Sequence, residues 1–153
     1  MKTELHIPSD PRFLMVVENW LLDALRVELA QQSDWPQVAS RLRLALVEAY
    51  SNVVRHAHAE QPSLPTVMVL QVTDVAISLE VWDSGIGFDL SSSPEHLPAP
   101  SDCRDGGYGW LILCRLMDEV QYYRQVEGGR NCLRLTSFLK PTSLVPSLGH
   151  SGQ

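Results

Sequence analysis

Polar and apolar residues alternate from Thr3 to Pro8, the two-residue period of a short strand. A helix-start signal follows: Ser9 or Asp10 can cap, and Pro11 suits the first helical position. Phe13, Val16, Val17, Trp20, Leu21, Ala24, Leu25 and Leu29 then recur at helical spacing and predict a long first helix. Asp34 is a candidate cap for a second helix, over about 36–58, with an apolar stripe of Val38, Leu42, Ala45, Leu46, Ala49, Val53 and Val54. Gln61-Pro62-Ser63-Leu64-Pro65 breaks the chain. Two Val- and Ile-rich runs, 66–73 and 75–83, read as strands in a tight hairpin turning at Asp74 or its neighbours. Helical spacing returns over 109–118, and strands are expected over 120–126 and 131–139, joined by Glu127-Gly128-Gly129-Arg130. The pattern predicts an α+β fold: a two-layer sandwich with a mixed, mostly antiparallel sheet and helices on one face.

Between Phe88 and about Gly106 the periodicity stops, and serines and prolines take over. A loop of that length in a compact domain usually has a purpose, which makes 88–107 a lid candidate. The expected organisation is one domain over residues 1–140, carrying that lid, and a flexible tail over 141–153. No apolar run in the 153 residues approaches the ~18 needed to span a membrane. Met1–His6 lacks the layout of a signal peptide, so a cytoplasmic location without membrane attachment is expected. The net charge of −6 argues against direct nucleic-acid binding, but not against a nucleotide ligand. Metal ions and backbone N–H groups can offset phosphate charge locally. Cys103, Cys114 and Cys132 form no CxxC pair, and His56 and His58, two apart on a helix, point to different sides.

Three islands carry the candidate chemistry. Glu48, Asn52 and His56 lie at i, i+4 and i+8, one face of a regular helix. An amide oxygen suits hard Mg²⁺, and a carboxylate one turn away can orient a metal-bound water or accept a proton from an attacking hydroxyl. The same spacing also fits an ordinary solvated face. Asp83-x-Gly85-x-Gly87 ends a strand. A carboxylate there can accept the exocyclic amino hydrogen of adenine, with the glycines allowing close approach, or the segment is a simple turn. Gly106-Gly107-Tyr108-Gly109 precedes a predicted helix, so it is either an anion cradle of backbone N–H groups or a hinge closing the long loop. Neither Lys2 nor Lys140 follows a glycine run, which excludes a P-loop.

In this order, E-x-x-x-N, then D-x-G-x-G, then G-x-G resembles the N, G1 and G2 boxes of the GHKL ATPase superfamily. Glu48-Ala49-Tyr50-Ser51-Asn52-Val53-Val54-Arg55-His56-Ala57 and Leu116-Met117-Asp118-Glu119-Val120 resemble its anti-sigma factor serine/threonine kinase branch. The resemblance runs over about residues 3–139. It implies ATP and Mg²⁺ as cofactors, bound between a helix layer and a mobile lid. It places Glu48 at the catalytic carboxylate position, Asn52 at the Mg²⁺ ligand and Asp83 at the adenine acceptor. Gly85 and Gly87 would shape the wall, and Gly107 and Gly109 would let the lid pack on phosphate. It further implies phosphorylation of a serine on a small anti-sigma-factor antagonist protein, sequestration of a sigma factor, and a homodimer.

The chain departs from the pattern at three places. Tyr108 and Trp110 interrupt the third box, and Trp110 either stacks on nucleotide or covers the core. Asn131 stands where relatives often carry a threonine that helps hold adenine, and is a candidate substitute. Arg104, the loop's one basic residue, either approaches the γ-phosphate or pairs with Asp102 or Asp105. Two other functions fit the same residues: a non-catalytic ATP-gated protein-binding switch, and a detached catalytic domain of a histidine kinase.

Overall fold

The computed structural model of the chain describes residues 1–87 and 107–141. Five strands form one sheet in the order β1-β2-β3-β5-β4: β1 (Lys2–Pro8), β2 (Pro65–Val72), β3 (Ala76–Asp83), β4 (Glu119–Val126) and β5 (Arg130–Phe138). Every neighbouring pair is antiparallel. The helices are α1 (Leu14–Leu29), α2 (Trp35–Asn52) and α3 (Gly107–Leu116). The architecture is the α+β sandwich expected, with an antiparallel rather than mixed sheet among the described residues. The candidate lid over 88–106 and the tail beyond 141 lie outside them.

The core forms where the two periodicities meet. Val17, Leu21, Leu25 and Leu29 of α1 and Val38, Leu42, Ala45, Leu46 and Ala49 of α2 bury one face of each helix. They meet Met68, Leu70, Ile77, Leu79, Val81 and Leu135 from alternate positions of the central strands. Each such side chain is worth about 1.5–3 kcal/mol when fully buried, so this seam, rather than the turns, fixes the layers. Val16 departs from the expected stripe: it is 48% exposed, because α1 buries a narrower face. Trp20 is partly buried against the same core.

The helix ends also differ from expectation. Asp10 does cap, but over a 3-10 turn at Pro11–Phe13 that leads into α1; its carboxylate accepts from the Arg12 backbone N–H at 2.9 Å. The Asp34 side chain makes no capping bond. The second helix does not run regularly to residue 58. After Asn52 it widens into a π-turn over Val53–Ala57, closed by the His58 N–H donating to the Val53 carbonyl, five residues back, at 2.8 Å. Tyr50, absent from the expected stripe, is 1% exposed. Its hydroxyl reaches the Pro8 and Asp10 carbonyls at 2.6 and 2.8 Å, tying α2 to the end of β1.

Candidate functional site

The stretch from Glu48 to Ala57 is the spine on which the three islands converge. Glu48 and Asn52, one turn apart on α2, are both half-buried and make no protein hydrogen bond among the described residues. The first turn of α3 lies directly against them. A methyl group added to Gly109 would collide with the Glu48 carboxylate and sit 3.2 Å from the Asn52 amide nitrogen. A side chain at this position would have to displace the Glu48 carboxylate. Glu48 and Asn52 thus stand beside the N-terminal turn of α3, where backbone N–H groups lack partners within the helix. His56, on the far side of the π-turn, is exposed and does not extend this face. The extra residue per turn rotates it away, which corrects the expectation of one continuous Glu48–Asn52–His56 face.

The Asp83 turn abuts the other end of the spine. A Cβ on Gly85 would fall 2.8 Å from the Ala57 carbonyl oxygen, so this glycine too is needed for close packing. Asp83 is 8% exposed and divides its two oxygens. Oδ1 accepts the Gly85 N–H at 2.8 Å and the Asn131 side-chain amide at 2.9 Å. Oδ2 has no protein partner among the described residues. One oxygen shapes the turn and the other is left for a donor from outside.

Asn131 is fully buried and fully used by the protein. It faces Asp83 across the β3–β5 ladder. Its amide donates to Asp83 and to the Gly85 carbonyl, both at 2.9 Å, and its oxygen accepts the Gln125 N–H at 3.0 Å. That N–H is free to be captured because β4 bulges between Tyr123 and Val126, with Gln125 at a φ of 48°. Gly87, at a φ of 79°, packs on the same hub: its added Cβ would lie 2.5 Å from the Asn131 oxygen and 2.9 Å from the Tyr122 hydroxyl. Arg124 closes the turn, donating from Nε to the Ile86 carbonyl at 3.1 Å.

Among the candidate residues, then, Glu48, Asn52 and Gly109 meet at one end, and Asp83, Gly85, Gly87 and Asn131 at the other. Gly107 opens α3. Arg104 lies outside the described residues. Trp110 is half-buried in the first turn of α3. The sequence pattern did not single out Arg124, offered Ser9 only as a helix cap and weighed His58 only as a partner of His56. His58 is 1% exposed, and its Nε2 accepts the Ser84 N–H at 2.9 Å, immediately after Asp83. No local pattern announces that contact, because its partners are 26 and 49 residues away in sequence.

The residues present fit a magnesium nucleotide. Half-buried Glu48 and Asn52 supply hard oxygen donors without competing protein partners, and Gly109 keeps open a cradle that a Cβ would fill. Of the described thiols, Cys114 and Cys132 fit no role in it: burial pushes the pKa of Cys132 up to about 12 and raises that of Cys114 as well.

The chain resembles known proteins over most of its length. Residues 7–137 match the model of the histidine kinase-like ATPase domain. A serine-protein kinase RsbW of Staphylococcus epidermidis is 29% identical over 90 residues, 54% of this chain and 57% of its own length. The chain thus aligns with little more than half of that relative. The RsbW serine-protein kinase of Oceanobacillus iheyensis is 27% identical over 129 residues, covering 80% of this chain and 78% of its own. The crystal structure of the RsbU and RsbW domains of a Mycobacterium tuberculosis protein superposes with a TM-score of 0.60 at 16% identity, over 93% of this chain and 34% of that one, a likeness of fold.

Proposed function

The chain belongs to the histidine kinase-like ATPase domain family, within the GHKL superfamily, and on that premise we propose that it is an ATP-dependent protein serine/threonine kinase acting as an anti-sigma factor. It phosphorylates a small antagonist protein and sequesters a sigma factor in the cytoplasm, as a homodimer. Residues 1–140 form the ATP-binding unit. The RsbW names of its relatives support a kinase that acts on protein serine. No helix among the described residues is long and apolar enough to cross a membrane.

The observation that carries this reading is the meeting of unpaired Glu48 and Asn52 with the first turn of α3 at Gly109. Asp83 Oδ2 accepts the adenine amino group, with Gly85 and Gly87 forming the wall and Asn131 holding Asp83 in place. Asn52 holds Mg²⁺, which when bound neutralises phosphate charge. Gly107 and Gly109 bring backbone N–H groups to the phosphates, and Arg104 reaches the γ-phosphate. The substrate serine oxygen bonds to the γ-phosphorus, the bond to the β–γ bridging oxygen breaks, ADP leaves, and Glu48 takes the serine proton.

The test is nucleotide titration with and without Mg²⁺, on wild type and Asn52→Ala, followed by phosphate transfer to a candidate antagonist with Glu48→Ala. The reading expects Mg²⁺-dependent binding that is lost in Asn52→Ala, and binding without transfer in Glu48→Ala. Nucleotide binding indifferent to Mg²⁺ and to Asn52 would end it. Tight binding by wild type with no transfer to any protein would favour the non-catalytic switch.

A further inference from the structure

His58 lies outside every motif used above, yet it is the buried anchor of the Asp83 turn. Its Nε2 accepts the Ser84 N–H at 2.9 Å, and its Nδ1 lies 2.7 Å from Ser9 Oγ. A backbone N–H can only donate, so Nε2 carries the lone pair and the ring proton sits on Nδ1, donated to Ser9. Ser9 passes its own proton to the Leu64 carbonyl at 2.7 Å and accepts the Thr66 hydroxyl at 2.8 Å. Each member of this chain is satisfied in one direction only. His58, Ser9 and Thr66 are 1%, 2% and 0% exposed, so no water competes for these bonds. The ring therefore bolts Ser84, the residue between Asp83 and Gly85, to the ends of β1 and β2.

Asn131 holds the Asp83 carboxylate from the β5 side, but none of the described residues on that side holds the Ser84 backbone. We propose that His58 is a positioning residue: in its neutral Nδ1–H form it fixes the Ser84 amide, so that the free Asp83 oxygen keeps its aim at a nucleotide base. The identity of that ligand rests on the reading above; the fixing of Ser84 does not.

A protonated ring would turn a second N–H toward the Ser84 N–H, and the turn would lose its anchor. Burial lowers the pKa of His58 from the ordinary histidine value, and the Asp83 carboxylate, the charged group whose field it feels, opposes that shift. Ser9, Thr66 and the Leu64 carbonyl do not titrate. The neutral form is thus present at pH 7 and is lost only on acidification past this lowered pKa.

Two isosteres separate the ring's two nitrogens. In His58→Gln the side-chain oxygen reaches the Nε2 position; in His58→Asn it reaches only the Nδ1 position. Amide exchange of Ser84 in the ligand-free protein is measured for both, with ATP affinity from pH 5.5 to 8. The Gln variant is expected to keep Ser84 protected, bind ATP within about threefold of wild type and lose the acid-side decline. The Asn variant is expected to lose Ser84 protection and bind about tenfold more weakly. Equal Ser84 exchange in the two variants, both protected, would overturn the proposal. Should the Asn variant not fold, Ser9→Ala takes its place: it leaves the tautomer unfixed, so faster Ser84 exchange is expected and unchanged exchange refutes. Asp83→Asn separates the two readings. If it binds ATP like wild type, the base assignment fails while the exchange contrast still judges His58. If it binds weakly and the isosteres behave alike, only the His58 proposal fails.

Discussion

Gly87→Ala is the sharpest perturbation of the Asp83 end of the site, and Gly128→Ala is its internal control. Both glycines have positive φ, 79° and 67°. At Gly128 an added Cβ meets nothing within 4 Å. Its cost is the left-handed conformation alone, about 1–2 kcal/mol. A stiffer unfolded chain offsets about 0.4–1 kcal/mol of that. At Gly87 the same terms apply, and the Cβ also lands 2.5 Å from the Asn131 oxygen, 2.9 Å from the Tyr122 hydroxyl and 2.9 Å from Arg124 Cγ. Arg124 is exposed and can yield. Asn131 is fully buried and held by three bonds, so moving it breaks about two of them at roughly 1 kcal/mol each. Urea denaturation should therefore place Gly87→Ala about 2 kcal/mol below Gly128→Ala. ATP titration should show Gly128→Ala binding as wild type and Gly87→Ala at least about tenfold weaker. Equal midpoints for the two variants, or unchanged ATP affinity in Gly87→Ala, would refute the account of Asn131 as a rigid hub.

Asn131→Asp puts a second carboxylate about one hydrogen bond from Asp83 Oδ1, where the amide now sits at 2.9 Å. Like charges raise the folded pKa of the pair, so the folded state holds an extra proton and the variant's stability deficit should grow as pH rises from about 4 to 8; urea midpoints at pH 5 and 8 that shift by the same amount would contradict this. Tyr50→Phe strips the hydroxyl from the Pro8 and Asp10 carbonyls and should cost about 1–2 kcal/mol of unfolding free energy, read from thermal melts. Cys132, raised to about 12 chiefly by burial, should resist alkylation in the native protein at pH 8 and react once urea unfolds it, as read by mass spectrometry of its peptide.

The layers were legible because they depend on period alone. The stripes of α1 and α2 each name a buried face without reference to the partner, and the Val- and Ile-rich runs of β2 and β3 mark strands. Features that depend on a distant partner were not legible. The π-turn at Val53–Ala57 keeps the helical composition of α2, and only the His58 N–H bond to Val53 reveals it. It turns His56 to solvent and His58 inward, so the expected helical face ends at Asn52. Val16 carries an apolar side chain yet stays exposed, because α1 buries a narrower face than its apolar residues mark. Asn131 was legible as a candidate only through family resemblance, and the bulge that gives its oxygen a partner depends on how β4 and β5 register.

The two ends of the site are built on different principles, and that difference explains why their motifs read so differently. At Glu48 and Asn52 the polar atoms are left unpaired on a rigid helix, and a glycine of α3 keeps the space beside them open. Little beyond the residues themselves is needed, so the E-x-x-x-N spacing carries most of the information. At Asp83 the polar atom facing outward is one of two on a turn. Its aim must be imposed by neighbours: Asn131 from β5 on the carboxylate, His58 from the π-turn on the following amide, and Ala57 packed under Gly85. A five-residue motif cannot encode those constraints. They come from two elements, β5 and the π-turn, that meet the Asp83 turn only after folding, and substitutions at Asn131 or His58 should therefore affect nucleotide affinity although neither side chain is assigned a contact with the nucleotide.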